Sequence, residues 1–195
     1  MAAANFFDRL RPVLLRPRNI LYIILFIVAF YIFILPFWNR ISSLFFIGLF
    51  LVLGSVSYIY RRVFQLRLGF EFIFPGTVLT TLAYGTATGF FVGNVTTFLA
   101  ELIGFKIDQR IIVGQITINL VVMATPMVWA ATGHNWLLTG LILNLLYNGV
   151  TAPIFVLLGG NPGKTMAFVA TSIFWALLFF LRIAPFLGIL MGIEA

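Results

Sequence analysis

Apolar runs of helical length alternate with short polar joints along most of this chain, at 20–38, 43–60, about 70–87, about 88–105, 111–132, 136–158 and 165–190. Several reach the roughly 20 residues that cross about 30 Å of hydrocarbon. In hydrocarbon such runs must be helical, because their backbone groups find no water to bond. The joints are Asn39–Ser42, Arg61 to Arg67, Lys106–Arg110, Gly133–Asn135 and Gly159–Lys164. The pattern predicts an all-α, polytopic integral membrane bundle of six to seven transmembrane helices. Residues 1–19 read differently. There Arg9, Arg11, Arg16 and Arg18 interleave with Phe6, Phe7, Leu10, Leu14 and Leu15, broken by Pro12 and Pro17. This is the pattern of a basic amphipathic interfacial segment, followed by a single transmembrane bundle over 20–195.

One run departs from the lipid-facing type. Between Phe70 and Gly104 the chain is rich in threonine and glycine, and Gly85, Gly89 and Gly93 recur every four residues. Small residues at that spacing let helix backbones approach closely, so these three are expected to pack helices or to dock a partner subunit. Pro75-Gly76 predicts a break in the helix, and no charged loop marks a turn further on. The basic residues argue for two short crossings here, turning near Thr88, with a re-entrant or tilted, broken helix as the alternative. With the N-terminus cytoplasmic and seven crossings, Arg61, Arg62, Arg67, Lys106, Arg110 and Lys164 share the cytoplasmic side, leaving only Arg40 and Arg182 nearer the other.

Composition sharpens the class. Of 195 residues 62% are hydrophobic and 9% charged, with a mean hydropathy of +1.12, more apolar surface than a soluble domain of this size could hide. The net charge of +7 lies in short blocks beside apolar runs. That placement orients helices and meets anionic lipid rather than nucleic acid, and it points to the cell membrane. There is no cysteine and a single histidine, His134, which removes thiolate chemistry and bis-histidine haem ligation. No hydrolase or metal constellation is visible, so no catalytic residue, metal or cofactor is expected, and the chain does not read as an enzyme. Gly159 to Thr165 imitates a phosphate-binding loop, but the required first glycine is Leu158 and the turn follows a helix, not a strand.

The polar residues inside the runs are the candidates for function. Gln115 and Asn119 are four apart, as are Asn144 and Asn148, so each pair shares a helix face. Carboxamides in hydrocarbon need partners and should face inward. Together with Trp136 they could line a neutral pocket for a small polar ligand, or simply bond neighbouring helices. Glu101 is the one fair candidate for a carboxylate deep in the membrane, whereas Glu71 is placed for a local pair with Arg67.

The run Gly85-x3-Gly89-x3-Gly93, continued by apolar residues to Glu101 and Gly104, resembles a recurring stretch of the substrate-binding S components of energy-coupling-factor vitamin transporters. It is also similar to the cell-shape protein MreD. Asn144-Leu-Leu-Tyr-Asn148 with Pro153 is similar to their late helices, and the likeness covers roughly residues 70–190. The resemblance implies a subunit that captures a vitamin-like molecule, docks on other membrane subunits and relies on ATPases elsewhere. The alternative is a non-catalytic scaffold or accessory subunit of a larger membrane complex, of the MreD type or in an energy-converting assembly.

Overall fold

The computed structural model describes residues 38–57, 59, 69–104 and 110–193. The basic segment 1–19, most of the run 20–38, and the joints carrying Arg61, Arg62, Arg67 and Lys106 lie outside the described residues, and with them the Arg67–Glu71 pair. The chain divides into two compact units, Met1–Ser42 and Ser43–Ala195. Helix α1 (Trp38–Val56) runs through the division. The second unit holds α2 (Ile73–Tyr84), α3 (Thr86–Gly104), α4 (Arg110–Ala131), α5 (Trp136–Leu157), α6 (Pro162–Leu178) and α7 (Ala184–Met191), the last two joined by a π turn, Phe179–Ile183. The described residues form helices and short connections only.

Four of these segments are long and apolar enough to cross a membrane: Thr86–Ile103, Ile111–Ala131, Trp136–Leu157 and Pro162–Met191. Two apolar helices are shorter, Ile41–Val56 and Ile73–Tyr84. The burial pattern is that of a protein solvated by lipid. Along α4 the exposed side chains are Ile112, Ile116, Leu120, Met123 and Met127, one stripe at helical spacing. The same helix turns Thr117 and Thr125, both 0% exposed, inward beside Ile118 and Val121. Water would reverse that arrangement.

Close contacts fix the order of packing. Gly89 of α3 meets Thr81 of α2 and Gly93 meets Thr77, so position rises on one helix as it falls on the other. The two therefore form a tight antiparallel hairpin. Across α3 and α4, Gly93 meets Ile118 and Gly114 faces Thr97, again antiparallel. At the α4–α5 turn the Thr132 and Thr139 hydroxyls lie 2.7 Å apart. Gly140 of α5 receives Phe180, and Trp136 lies over Gly188, so the α6–α7 rod returns antiparallel along α5. By this alternation the Arg110 start of α4 and the Pro162 start of α6 lie at one end of the unit. The Gly85 joint, the 132–135 turn and the end of α7 lie at the other.

Two expectations are corrected. The break in the Phe70–Gly104 run comes at Gly85, not near Thr88 or at Pro75-Gly76. Gly85 has φ 88° and ψ 167°, a conformation open essentially to glycine alone. Pro75 lies in the first turn of α2, where its missing N–H breaks no intrahelical bond, and Gly76 admits the ring of Phe50 from α1. At 12 residues, α2 is about 18 Å long, well short of about 30 Å of hydrocarbon. The π turn also has a local cause. Pro185 would clash with the carbonyl four residues back in a regular helix, and the helix widens before it, so that the Ala184 N–H donates to the Phe179 carbonyl. Adjacent Phe179 and Phe180 are then both buried.

Candidate functional site

Buried hydroxyls show how this interior treats polarity. Thr77, Thr81, Thr97, Thr117 and Thr125 each donate to the carbonyl four residues back, at 2.7–2.8 Å. A hydroxyl bonded this way is satisfied within its own helix even where it faces a neighbouring one. Gly89 lies against the Thr81 hydroxyl and Gly93 between Ile118 and Thr77, and both glycines are buried. Their close approach is thus made to α2 and α4 of the same chain, in place of a docking face for another subunit. Gly85 stands apart from them as the exposed joint.

The five residues expected to share a ligand pocket fall into separate places. Asn119 accepts from Asn94 Nδ2 at 2.7 Å, tying α3 to α4, while the same Nδ2 also reaches the Phe90 carbonyl at 2.8 Å. Gln115 lies one turn earlier on α4, half-buried. Trp136 belongs to the α4–α5 turn, its ring 4.5 Å from Trp129, whose other neighbour is His134 at 5.3 Å in a stacked arrangement. His134 has φ 64° and is exposed.

Asn144 and Asn148 do come together, and they gain a partner the sequence had not singled out. Asn144 Nδ2 donates to Ser172 Oγ of α6 at 3.1 Å. Asn148 Nδ2 reaches the Asn144 carbonyl and Oδ1, both at 2.9 Å, and Ser172 Oγ at 3.2 Å. These acceptors fix the Asn148 amide, because a flipped amide would set its oxygen against oxygens. Asn144 and Asn148 are the ninth and thirteenth residues of a 22-residue helix, so the cluster sits at its middle.

An irregular strip of chain lies against this cluster. Gly69 abuts the backbone and side chain of Ser172 so closely that no Cβ would fit, and its N–H donates to Thr171 Oγ1 at 2.7 Å. Two residues on, the Glu71 carbonyl accepts from Trp175 Nε1 at 2.9 Å. The Phe72 N–H donates to Ser57 Oγ at 2.9 Å, which brings in the end of α1, and the Phe74 ring meets Tyr147 at 5.5 Å. The start of α2 thus lies beside the middle of α5, not at its end.

Glu71 on this strip is 1% exposed, and Glu101 is only half-buried. The deepest carboxylate among the described residues is therefore Glu71, a correction to the expectation that favoured Glu101. The clue was available in Phe70-Glu71-Phe72-Ile73-Phe74, an acid set among large apolar residues on both sides. Asn94 and Ser172 carried a weaker clue, single polar residues inside apolar runs.

Two atoms of this region have no hydrogen-bond partner although both are closed off from solvent: Asn148 Oδ1 and Thr151 Oγ1. What remains at the middle of α5 is a polar face that is fixed in orientation, uncharged and incompletely bonded. No family model, curated protein or solved structure matches the chain.

Proposed function

We propose that this chain is an integral membrane subunit that captures a small polar molecule at the α5–α6 interface and leaves energy coupling to other subunits. The observation that carries this reading is the junction at the middle of α5. There the Asn144–Asn148–Ser172 cluster meets the irregular strip Gly69–Phe72. Helices interrupted at the depth of a polar cluster are the usual framework of binding sites in membrane transporters. Irregular backbone at such depth persists only where protein or a cavity surrounds it. The importer role is what the resemblance to energy-coupling-factor S components implies. On this reading the N-terminus is cytoplasmic in a cell membrane, and the α4 and α6 starts, beside Lys106 and Lys164, face the cytoplasm.

A second reading, a non-catalytic accessory subunit, draws support from the α2–α3–α4 side, where glycine and threonine serve packing. Thermal unfolding of the purified full chain in nanodiscs, against a library of small metabolites, separates the two. Capture predicts that some compound raises Tm in the wild type and does not in Asn148→Leu. If no compound shifts Tm, while native purification returns a stable complex with other membrane chains, the accessory reading stands instead.

A further inference from the structure

The chemistry of the captured molecule is written in which atoms the α5 face leaves unbonded. Thr151 is 2% exposed and Asn148 4%, and they lie three residues apart on one side of α5. Every other buried threonine among the described residues directs its hydroxyl to a backbone carbonyl or, for Thr139, to the Thr132 hydroxyl. Thr151 Oγ1 does neither. Asn148 has both hydrogens of Nδ2 engaged and its Oδ1 bare. Leaving a buried polar atom unbonded is costly, and here two such atoms occur within one turn.

Resting on the capture reading above, we propose that Asn148 and Thr151 bind a neutral molecule through an edge that pairs an N–H or O–H donor with an acceptor, as in a lactam, cyclic urea or amide. The donor goes to Asn148 Oδ1, and the acceptor takes the Thr151 hydroxyl hydrogen. An anion would set oxygen against the Asn148 oxygen. A metal cation such as calcium takes about six to eight oxygens, far more than two. An ammonium group would have to leave water for two atoms that carry no charge, Asn148 Oδ1 and Thr151 Oγ1, and that is expensive. Both free atoms are closed off in this conformation, so the guest enters when the Asn148–Thr151 face parts from α6.

The test uses the full chain in nanodiscs and four probes: 2-imidazolidinone, protonated pyrrolidine, acetate and sodium ion. The cyclic urea is expected to raise Tm in a saturable way. Its apparent Kd should weaken about tenfold in Thr151→Val, the loss of one hydrogen bond. Thr151→Val keeps shape and folding, so it reports even if Asn148→Leu fails to fold. Stabilisation by pyrrolidinium, acetate or sodium in place of the urea would overturn the neutral-edge assignment and leave capture standing. Equal urea binding by Thr151→Val would overturn the site. No shift with any probe or library compound, with Thr151→Val raising Tm, would overturn both readings and leave an unfilled packing defect.

Discussion

Thr81 and Thr151 are both buried threonines inside apolar helices, and their hydroxyls meet opposite fates. Thr81 donates to the Thr77 carbonyl at 2.7 Å and lies against Gly89. Thr151 has no partner and lies beyond an asparagine whose oxygen has none either. The α2–α3 hairpin is polar in composition but closed in chemistry. Thr77, Thr80, Thr81, Thr96 and Thr97 each bond within their own helix, and the glycines bring the two backbones together. The α5–α6 face is sparser in polar residues yet leaves acceptor and hydroxyl unmatched. Counting polar residues would rank the hairpin first as a functional site. Counting unsatisfied polar atoms ranks it second, and only the latter measures what a guest could gain.

The harshest way to break this contrast is to overfill the hairpin. A Cβ at Gly89 already collides with the Thr81 side chain, so Gly89→Leu must drive α2 and α3 apart. Overpacking of this kind costs about 1–3 kcal/mol and sometimes more. The expected outcome is loss of monodisperse protein on size-exclusion chromatography, or a much lower Tm. Gly149, on the exposed face of α5, has nothing within 4 Å of a built Cβ, and Gly149→Leu should leave Tm unchanged or higher. Equal tolerance at both positions would mean that the hairpin is not tightly packed.

The joint of the hairpin comes next in size. A Cβ at Gly85 would meet nothing within 4 Å, so Gly85→Ala tests backbone conformation alone. At φ 88° and ψ 167° an alanine should cost about 1–3 kcal/mol, measured as a fall in unfolding free energy with the α5–α6 face undisturbed. An unchanged stability would place the break elsewhere.

These two glycines also show what the sequence could and could not tell. The four-residue spacing correctly marked Gly89 and Gly93 as a close-packing face, because helical periodicity is local. It wrongly carried that face through Gly85, since a glycine that ends a helix and one that lines it look the same in one dimension. Nor could spacing say whether the face meets another protein or the neighbouring helices of its own chain. On α5 the i, i+4 pairing of Asn144 and Asn148 was legible, again because it is local. Ser172 was not, since it is brought there by the antiparallel return of α6. For Glu71 the sequence offered a local pair with Arg67, which lies outside the described residues, and could not show that the strip around it is pinned by Thr171, Trp175 and Ser57. The expected pocket of Gln115, Asn119, Trp136, Asn144 and Asn148 combined three helix environments that only the packing order separates.

A smaller effect probes a closed polar contact on the hairpin side. The Asn94–Asn119 bond links α3 to α4 at 2.7 Å. A double-mutant cycle with Asn94→Leu and Asn119→Leu should return a coupling of about 0.6 kcal/mol, the average for such bonds between membrane helices. A coupling near zero would show that lipid-exposed or alternative partners replace it.

The smallest effect is the most telling, because it turns on sign. Thr117→Val removes a hydroxyl that donates to the Val113 carbonyl at 2.8 Å; it should cost a few tenths to about 1 kcal/mol, the net worth of a hydrogen bond. Thr151→Val removes a hydroxyl with no partner at all, and in the absence of ligand it should leave stability unchanged or raise it. Both replacements keep the branched shape, so packing is held nearly constant and the hydroxyl is the variable. Parallel unfolding in the same nanodisc lipid measures the difference directly. If Thr151→Val destabilises as much as Thr117→Val, the Thr151 hydroxyl is bonded in the membrane and the α5 face is as closed as the hairpin. If the signs differ, Thr151 keeps an unbonded hydroxyl on α5 at some cost in stability while the Thr117 hydroxyl is bonded, and the contrast between the two faces stands.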